Sequence, residues 1–141
     1  MDIDWDDLAD RYVQLIEAGP RSQLGRSAID DLLGKAASTF PKNKLSDLGW
    51  FVAALNEAPK KWFVAKLLER VNPVPSILFD PLLTAALEEL NPSANRVFIT
   101  PCVRTFGQHA VKARLNELVT QSERHSADSI TRAMYWVDAK R

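Results

Sequence analysis

Residues 59–71 read Pro-Lys-Lys-Trp-Phe-Val-Ala-Lys-Leu-Leu-Glu-Arg-Val. Trp62, Phe63, Leu67, Leu68 and Val71 recur at the three- and four-residue spacing that gathers side chains on one face of an α-helix. Pro59 suits the first turn, where its missing N–H has no intrahelical acceptor to lose, and Asn72-Pro73 closes the segment. The stretch has counterparts. A step of 35 residues forward reads Arg96-Val97-Phe98-Ile99, then Cys102-Val103 and Phe106; a step of 35 back reads Arg26-Ser27-Ala28-Ile29, then Leu32-Leu33 and Ala36. A step of 36 from Arg96 reaches Arg132-Ala133-Met134-Tyr135. In each copy a basic residue precedes three mostly apolar ones.

Working outward, the same spacing predicts helices along nearly the whole chain, and no run shows the alternation or the Asn-Gly turns of a hairpin sheet. The first helix opens at Asp4, carries Trp5, Leu8, Tyr12, Leu15 and Ile16 on one face, and stops at Gly19-Pro20. The second starts at Ser22 or Ser27 and ends near Phe40-Pro41; the third takes Ser46 as its cap and carries Leu48, Phe51, Val52 and Leu55. These four positions match Leu83, Ala86, Leu87 and Leu90 of a fifth helix opened by Asp80-Pro81, again 35 residues on. A sixth runs from about Ala94 to Phe106, with Pro101 expected to kink it or split it at Thr100, and Gly107 ends it. Gln108 to Val119 forms a seventh, and Ser126 or Asp128 opens an eighth. The short, polar or proline-marked links place successive helices antiparallel and adjacent.

The expected fold is therefore all-α, about eight helices arranged as four stacked antiparallel hairpins in one repeat domain over residues 1–141. A single hairpin cannot bury its apolar face alone, so neighbouring copies supply the core. On this periodicity and helix order the chain resembles the HEAT/armadillo-type α-solenoids. The resemblance implies a right-handed superhelical stack that binds other macromolecules. It carries no diagnostic signature, and the tetratricopeptide and ankyrin patterns are not matched. A compact, non-repeating helical bundle is the alternative architecture.

Composition narrows the function classes. At 46% hydrophobic and 26% charged, the chain is too apolar for disorder and too charged for a membrane span. Its longest uncharged stretches, Leu48 to Asn56 and Val71 to Phe79, fall far short of a bilayer span. The chain begins Met-Asp-Ile-Asp, with neither a basic n-region nor an apolar h-region, and a single cysteine, Cys102, forms no internal disulfide; a reducing cytoplasm is the expected setting. Net charge is zero, without the basic excess usual in proteins that grip phosphates. Asp2, Asp4, Asp6, Asp7 and Asp10 crowd the first ten residues, which fits either a helix N-terminal turn favoured by the dipole or an acidic contact surface.

Groups suited to catalysis are sparse. His109 and His125 stand sixteen residues apart, without the spacing of a zinc motif, and the five glycines are too scattered for a phosphate loop. Adjacent carboxylates at Asp6-Asp7, Asp30-Asp31 and Glu88-Glu89 point about 100° apart on a helix and do not converge on one atom. Cys102 lies among Ile99, Val103 and Phe106, as a small core residue would. No catalytic residue, metal or cofactor is expected.

What stands out is a basic row, Arg26, Lys61, Arg96 and Arg132, with Lys60 beside it. Cations near helix N-termini oppose the dipole preference, so helix propensity does not account for them. In a stacked array such positions recur about 10 Å apart along one edge. Adjacent ring pairs, Trp50-Phe51, Trp62-Phe63 and Tyr135-Trp136, cannot both point at one core, so one member of each belongs at its margin. Rings beside arginine typify binding hot spots. The expected function is a protein-binding scaffold or adaptor, of the kind a small intracellular inhibitor or immunity protein provides, acting through Arg26, Lys60, Lys61, Trp62, Arg96, Arg132 and Trp136. The alternative is a helical-repeat nucleic-acid binder, similar to DNA-glycosylase relatives, that sets the basic row on phosphates. A bland reading competes with both: the row is surface cations paired with acids such as Glu57 or Glu88-Glu89.

Overall fold

The computed structural model describes residues 4–19, 23–41, 45–89, 91, 94–121 and 127–138, among which every regular element is helical. The eight α-helices follow the order expected from the sequence: α1 Trp5–Ala18, α2 Gln23–Ser38, α3 Leu45–Ala54, α4 Lys60–Leu68, α5 Phe79–Glu88, α6 Arg96–Phe106, α7 Gln108–Gln121 and α8 Ala127–Asp138. The chain divides into two compact units, residues 1–72 and 73–141. Within them, the two helices of each expected hairpin are in contact: α1 with α2, α3 with α4, α5 with α6, and α7 with α8.

In the first unit, α1 opens on Asp4, whose carboxylate accepts the Asp7 N–H at 3.0 Å, and the acids Asp6 and Asp7 fill the first turn. Both arrangements satisfy or neutralise exposed backbone N–H groups of the N-terminus. Gly19 ends the helix with φ 91°, a left-handed conformation that a side chain would strain. Leu8, Ala9 and Tyr12 are buried, but Ile16, one turn further along the same stripe, is exposed. α1 packs on α2 and α4, α2 also packs on α4, and α3 covers α4. The joints are aromatic. Phe51 meets Trp5, Phe40 and Trp50 at ring separations of 4.8, 4.9 and 4.9 Å, and Phe63 meets Tyr12 at 5.7 Å. Each such pair adds about 0.5–1.5 kcal/mol beyond the area it buries.

Several helix ends differ from expectation. α5 begins at Phe79 with Leu78 as its cap, so Asp80 lies inside the first turn rather than opening the helix. α3 begins at Leu45, so Ser46 falls inside its first turn rather than capping it; the side chain of Ser46 lies outside the described residues. α4 stops at Leu68, and the N–H groups of Arg70 and Val71 then reach back to Leu67 and Leu68. These tighter three-residue bonds let the chain turn while Val71 still reaches the core.

The second unit opens with a 3-10 turn at Ser76–Leu78 that the periodicity did not suggest, followed directly by α5 with Pro81 in its first turn. α8 packs on α5, α6 and α7, and the core joins Leu82, Leu83 and Leu87 to Phe98, Ile99, Val111, Leu115 and Val137. Pro101 does not split α6, which runs unbroken from Arg96 to Phe106 with the proline ring buried inside it. The ring removes the N–H that would answer the Val97 carbonyl, a local loss that the surrounding packing of Phe98, Ile99 and Cys102 tolerates. Gly107, φ 91°, ends the helix as expected. Thr105 Oγ1 accepts the Val74 N–H at 3.0 Å, and the Gln108 amide donates to the Val137 carbonyl at 2.9 Å near the end of α8.

The 35-residue rhythm is clearest between α4 and α6. Phe63 and Phe98, Val64 and Ile99, and Leu67 and Cys102 are all buried, pair for pair. In the outer copies Ala28 and Met134 are half-buried and Tyr135 is exposed. The basic residues meanwhile sit at different depths: fourth in α2, second in α4, first in α6 and sixth in α8. The rhythm governs the apolar face more strictly than the helix starts.

Candidate functional site

The seven residues singled out in the sequence fall on four helices. Arg26 is exposed on α2, while Lys60, Lys61 and Trp62 lie half-buried in the first turn of α4, and α2 packs against α4. Arg96 opens α6 and is exposed, Arg132 and Trp136 lie half-buried on α8, and α6 packs against α8. Each unit therefore carries a pair of row positions on helices in contact.

Lys60 is engaged inside its own unit. Its ammonium donates to Asp6 Oδ1 at 2.9 Å and stands 3.6 Å from Glu57 Oε2. The Trp50 indole N–H donates to the same Asp6 oxygen at 3.0 Å. These bonds, first from Lys60 and then from Trp50, hold the Asp6 carboxyl below its ordinary range, and Asp6 in turn raises Lys60. Lys60 thus ties the start of α4 to α1. Lys61 instead lies over the ring of its neighbour Trp62, 5.1 Å from the centroid.

The second unit assembles a different group. The Arg96 guanidinium reaches across to α8 and lies 5.3 Å from the centre of the Trp136 ring. Tyr135 packs edge-on against Trp136 at 4.8 Å and 87°, yet remains 66% exposed. One turn earlier on α8, Arg132 donates to Ser129 Oγ at 3.4 Å. A guanidinium over an indole contributes about 0.5–1 kcal/mol at an exposed site and leaves its in-plane N–H groups available for a planar acceptor.

Several carboxylates are held in ion pairs within the fold. Asp7 pairs with Arg11 at 2.9 Å, Asp30 with Arg70 at 2.6 Å, and Asp80 takes a two-pronged bond from Arg114 at 2.8 and 2.8 Å. Glu89 accepts the Asn91 N–H at 3.1 Å. Cys102 is fully buried with Sγ 3.5 Å from the Phe98 carbonyl, and that burial pushes its thiol far above the ordinary range, which suppresses the nucleophilic thiolate. His109 is exposed on α7, and His125 lies outside the described residues. Among the described residues no three His, Cys, Asp or Glu side chains converge as metal ligands, and no helix is long and apolar enough to cross a membrane.

Two features of this surface escape the choice of site residues. Tyr135 is the more exposed ring of its pair, which the adjacency of Tyr135 and Trp136 hints at without deciding which ring faces out. Asn95, next to Arg96, is completely buried, and neither polar atom of its amide has a hydrogen-bond partner; Arg132 Nε shares that condition. An asparagine just ahead of a helix reads as an exposed cap in the sequence, so nothing there announces its burial. Comparison of the chain with known protein families, curated proteins and solved structures gave no match.

Proposed function

We propose that this chain is a non-catalytic protein-binding module, a scaffold or adaptor of helical hairpins that acts through a cation–aromatic surface. The observation that carries the reading is the Arg96–Trp136–Tyr135 group, with a guanidinium on an indole and a phenol two-thirds exposed beside it. Such a group offers large, rigid rings at small entropic cost together with a fork of donors, the combination enriched where partners bind most strongly. Lys61 over Trp62 on α4 is a second, smaller instance of a cation on an indole. The suppressed Cys102 thiol favours binding over chemistry.

Affinity purification of the full chain from its native cell, with and without nuclease, tests this. A stoichiometric protein partner that survives nuclease and is lost with Trp136→Ala is the expected result. Recovery of nucleic acid alone, with an affinity falling steeply in salt and on Arg96→Ala or Arg132→Ala, would replace it with the phosphate-binding reading.

A further inference from the structure

We infer that the Arg96–Trp136–Tyr135 surface receives an acidic segment of a partner protein, a carboxylate flanked by apolar side chains; this rests on the protein-binding reading above. Charge is the first argument. The unit as a whole, residues 73–141, contains eight Lys and Arg against seven Asp and Glu, so the positive charge is local: Arg96 lies against Trp136, and Arg132 stands one turn before it on α8. α6 itself carries Arg96 and Arg104 and no acid.

Geometry is the second argument. The guanidinium lies over the Trp136 ring at 5.3 Å, a contact that restricts its rotamers, and a guanidinium is by nature a planar fork of donors. A carboxylate matches that fork with two parallel hydrogen bonds. The neighbouring Tyr135 ring, edge-on to Trp136 and exposed, adds apolar surface beside the indole. Arg132, three and four residues before the two rings, lies on the same side of α8 and adds a second positive charge. A nucleic-acid strand fits less well, since it calls for cations repeated at phosphate spacing, and among the described residues one exposed guanidinium lies on these rings.

The test is a fluorescence-anisotropy titration of the full chain with a short labelled peptide of alternating Glu and Leu. Its Gln-for-Glu counterpart and an oligo-dT strand of equal charge serve as competitors. The expected result is that the Glu peptide binds, the Gln peptide binds about tenfold more weakly, and Arg96→Gln and Tyr135→Ala each raise Kd by about fivefold to tenfold. Lys35→Gln, an equal loss of charge at an exposed position on α2, leaves Kd unchanged. Circular dichroism confirms that each variant is folded. Absence of binding, equal binding of the Gln peptide, equal loss with Lys35→Gln, or preference for oligo-dT each overturns the inference. A protein captured from cells and lost with Trp136→Ala, alongside a silent Glu peptide, removes the acidic occupant and leaves the protein-binding reading standing.

Discussion

The two units share one apolar rhythm and in each a row cation lies over an indole, but Lys61 uses the ring of its own neighbour Trp62 whereas Arg96 uses Trp136 on another helix. In residues 1–72, Trp5, Phe40, Trp50 and Phe51 close ring to ring, and Lys60 is drawn inward to Asp6 on α1. In residues 73–141, Arg96 turns instead to a ring on α8, and the phenol beside that ring stays exposed. Among the described residues, the buried side-chain atoms without hydrogen bonds also belong to this second unit, in Asn95 and Arg132. The lesson is that helical periodicity sets which residues face the core, whereas the use of each cation depends on whether an acid or an indole lies within reach.

The equivalence of the cores is the part of this comparison with the largest energy at stake. Phe63→Ala and Phe98→Ala remove matching, fully buried rings. Each should destabilise the protein by about 3–5 kcal/mol in denaturant unfolding. A large loss for one and a negligible loss for the other would break the correspondence between α4 and α6.

The next effect is smaller. Arg114 holds Asp80 with two bonds and Glu117 with a third at 3.1 Å, linking α7 to α5, and these acids raise its pKa further. Arg114→Ala should cost about 1 kcal/mol, since both partners keep contact with solvent. Loss of stability in that variant should shrink in high salt.

The tie between Lys60 and Asp6 sharpens the contrast through pH. The folded pKa of Asp6 lies below its unfolded value, so its contribution is present above the ordinary carboxylate pKa and vanishes as pH falls through the folded value. That of Lys60 lies above its unfolded value, so its contribution is present below the ordinary lysine pKa and is lost as pH rises through the folded value. Unfolding curves of wild type and Asp6→Asn should therefore differ near neutrality and converge in strong acid. Curves that stay equally far apart at every pH would contradict the pairing.

The smallest effect is expected at Asn95. A buried amide without hydrogen bonds is itself destabilising by about 1–3 kcal/mol, which offsets the packing lost on truncation. Asn95→Ala should leave stability within about 1 kcal/mol of wild type despite complete burial. A loss several times larger would show that the amide is bonded in solution.

The helices were readable in the sequence because their signals are local. Asp4, Gly19 and Gly107 act within one turn of chain, and the apolar spacing of Phe63, Leu67 and Leu68 needs no distant partner. Of the two outcomes expected at Pro101, the split at Thr100 does not occur, because whether a helix continues through a proline depends on packing around α6 that spacing alone does not encode. The 3-10 turn at Ser76–Leu78 was missed for a related reason, being a three-residue element between prolines with no period to detect. Of the surface, the presence of Arg96 and Trp136 was readable, but their meeting was not. They stand forty residues apart, and the packing of α6 on α8 brings them together. The exposure of Tyr135 and the burial of Asn95 are likewise properties of the packed helices.

The most direct measurement replaces Tyr135 with a photo-reactive phenylalanine in the full chain and, separately, Ile16, an exposed apolar residue of the first unit. Irradiation in the native cell should join position 135 to one protein, unaffected by nuclease and diminished by Arg96→Gln, with little product from position 16. A nucleic-acid adduct at 135, or the same products from both positions, would contradict the assignment of binding to this surface.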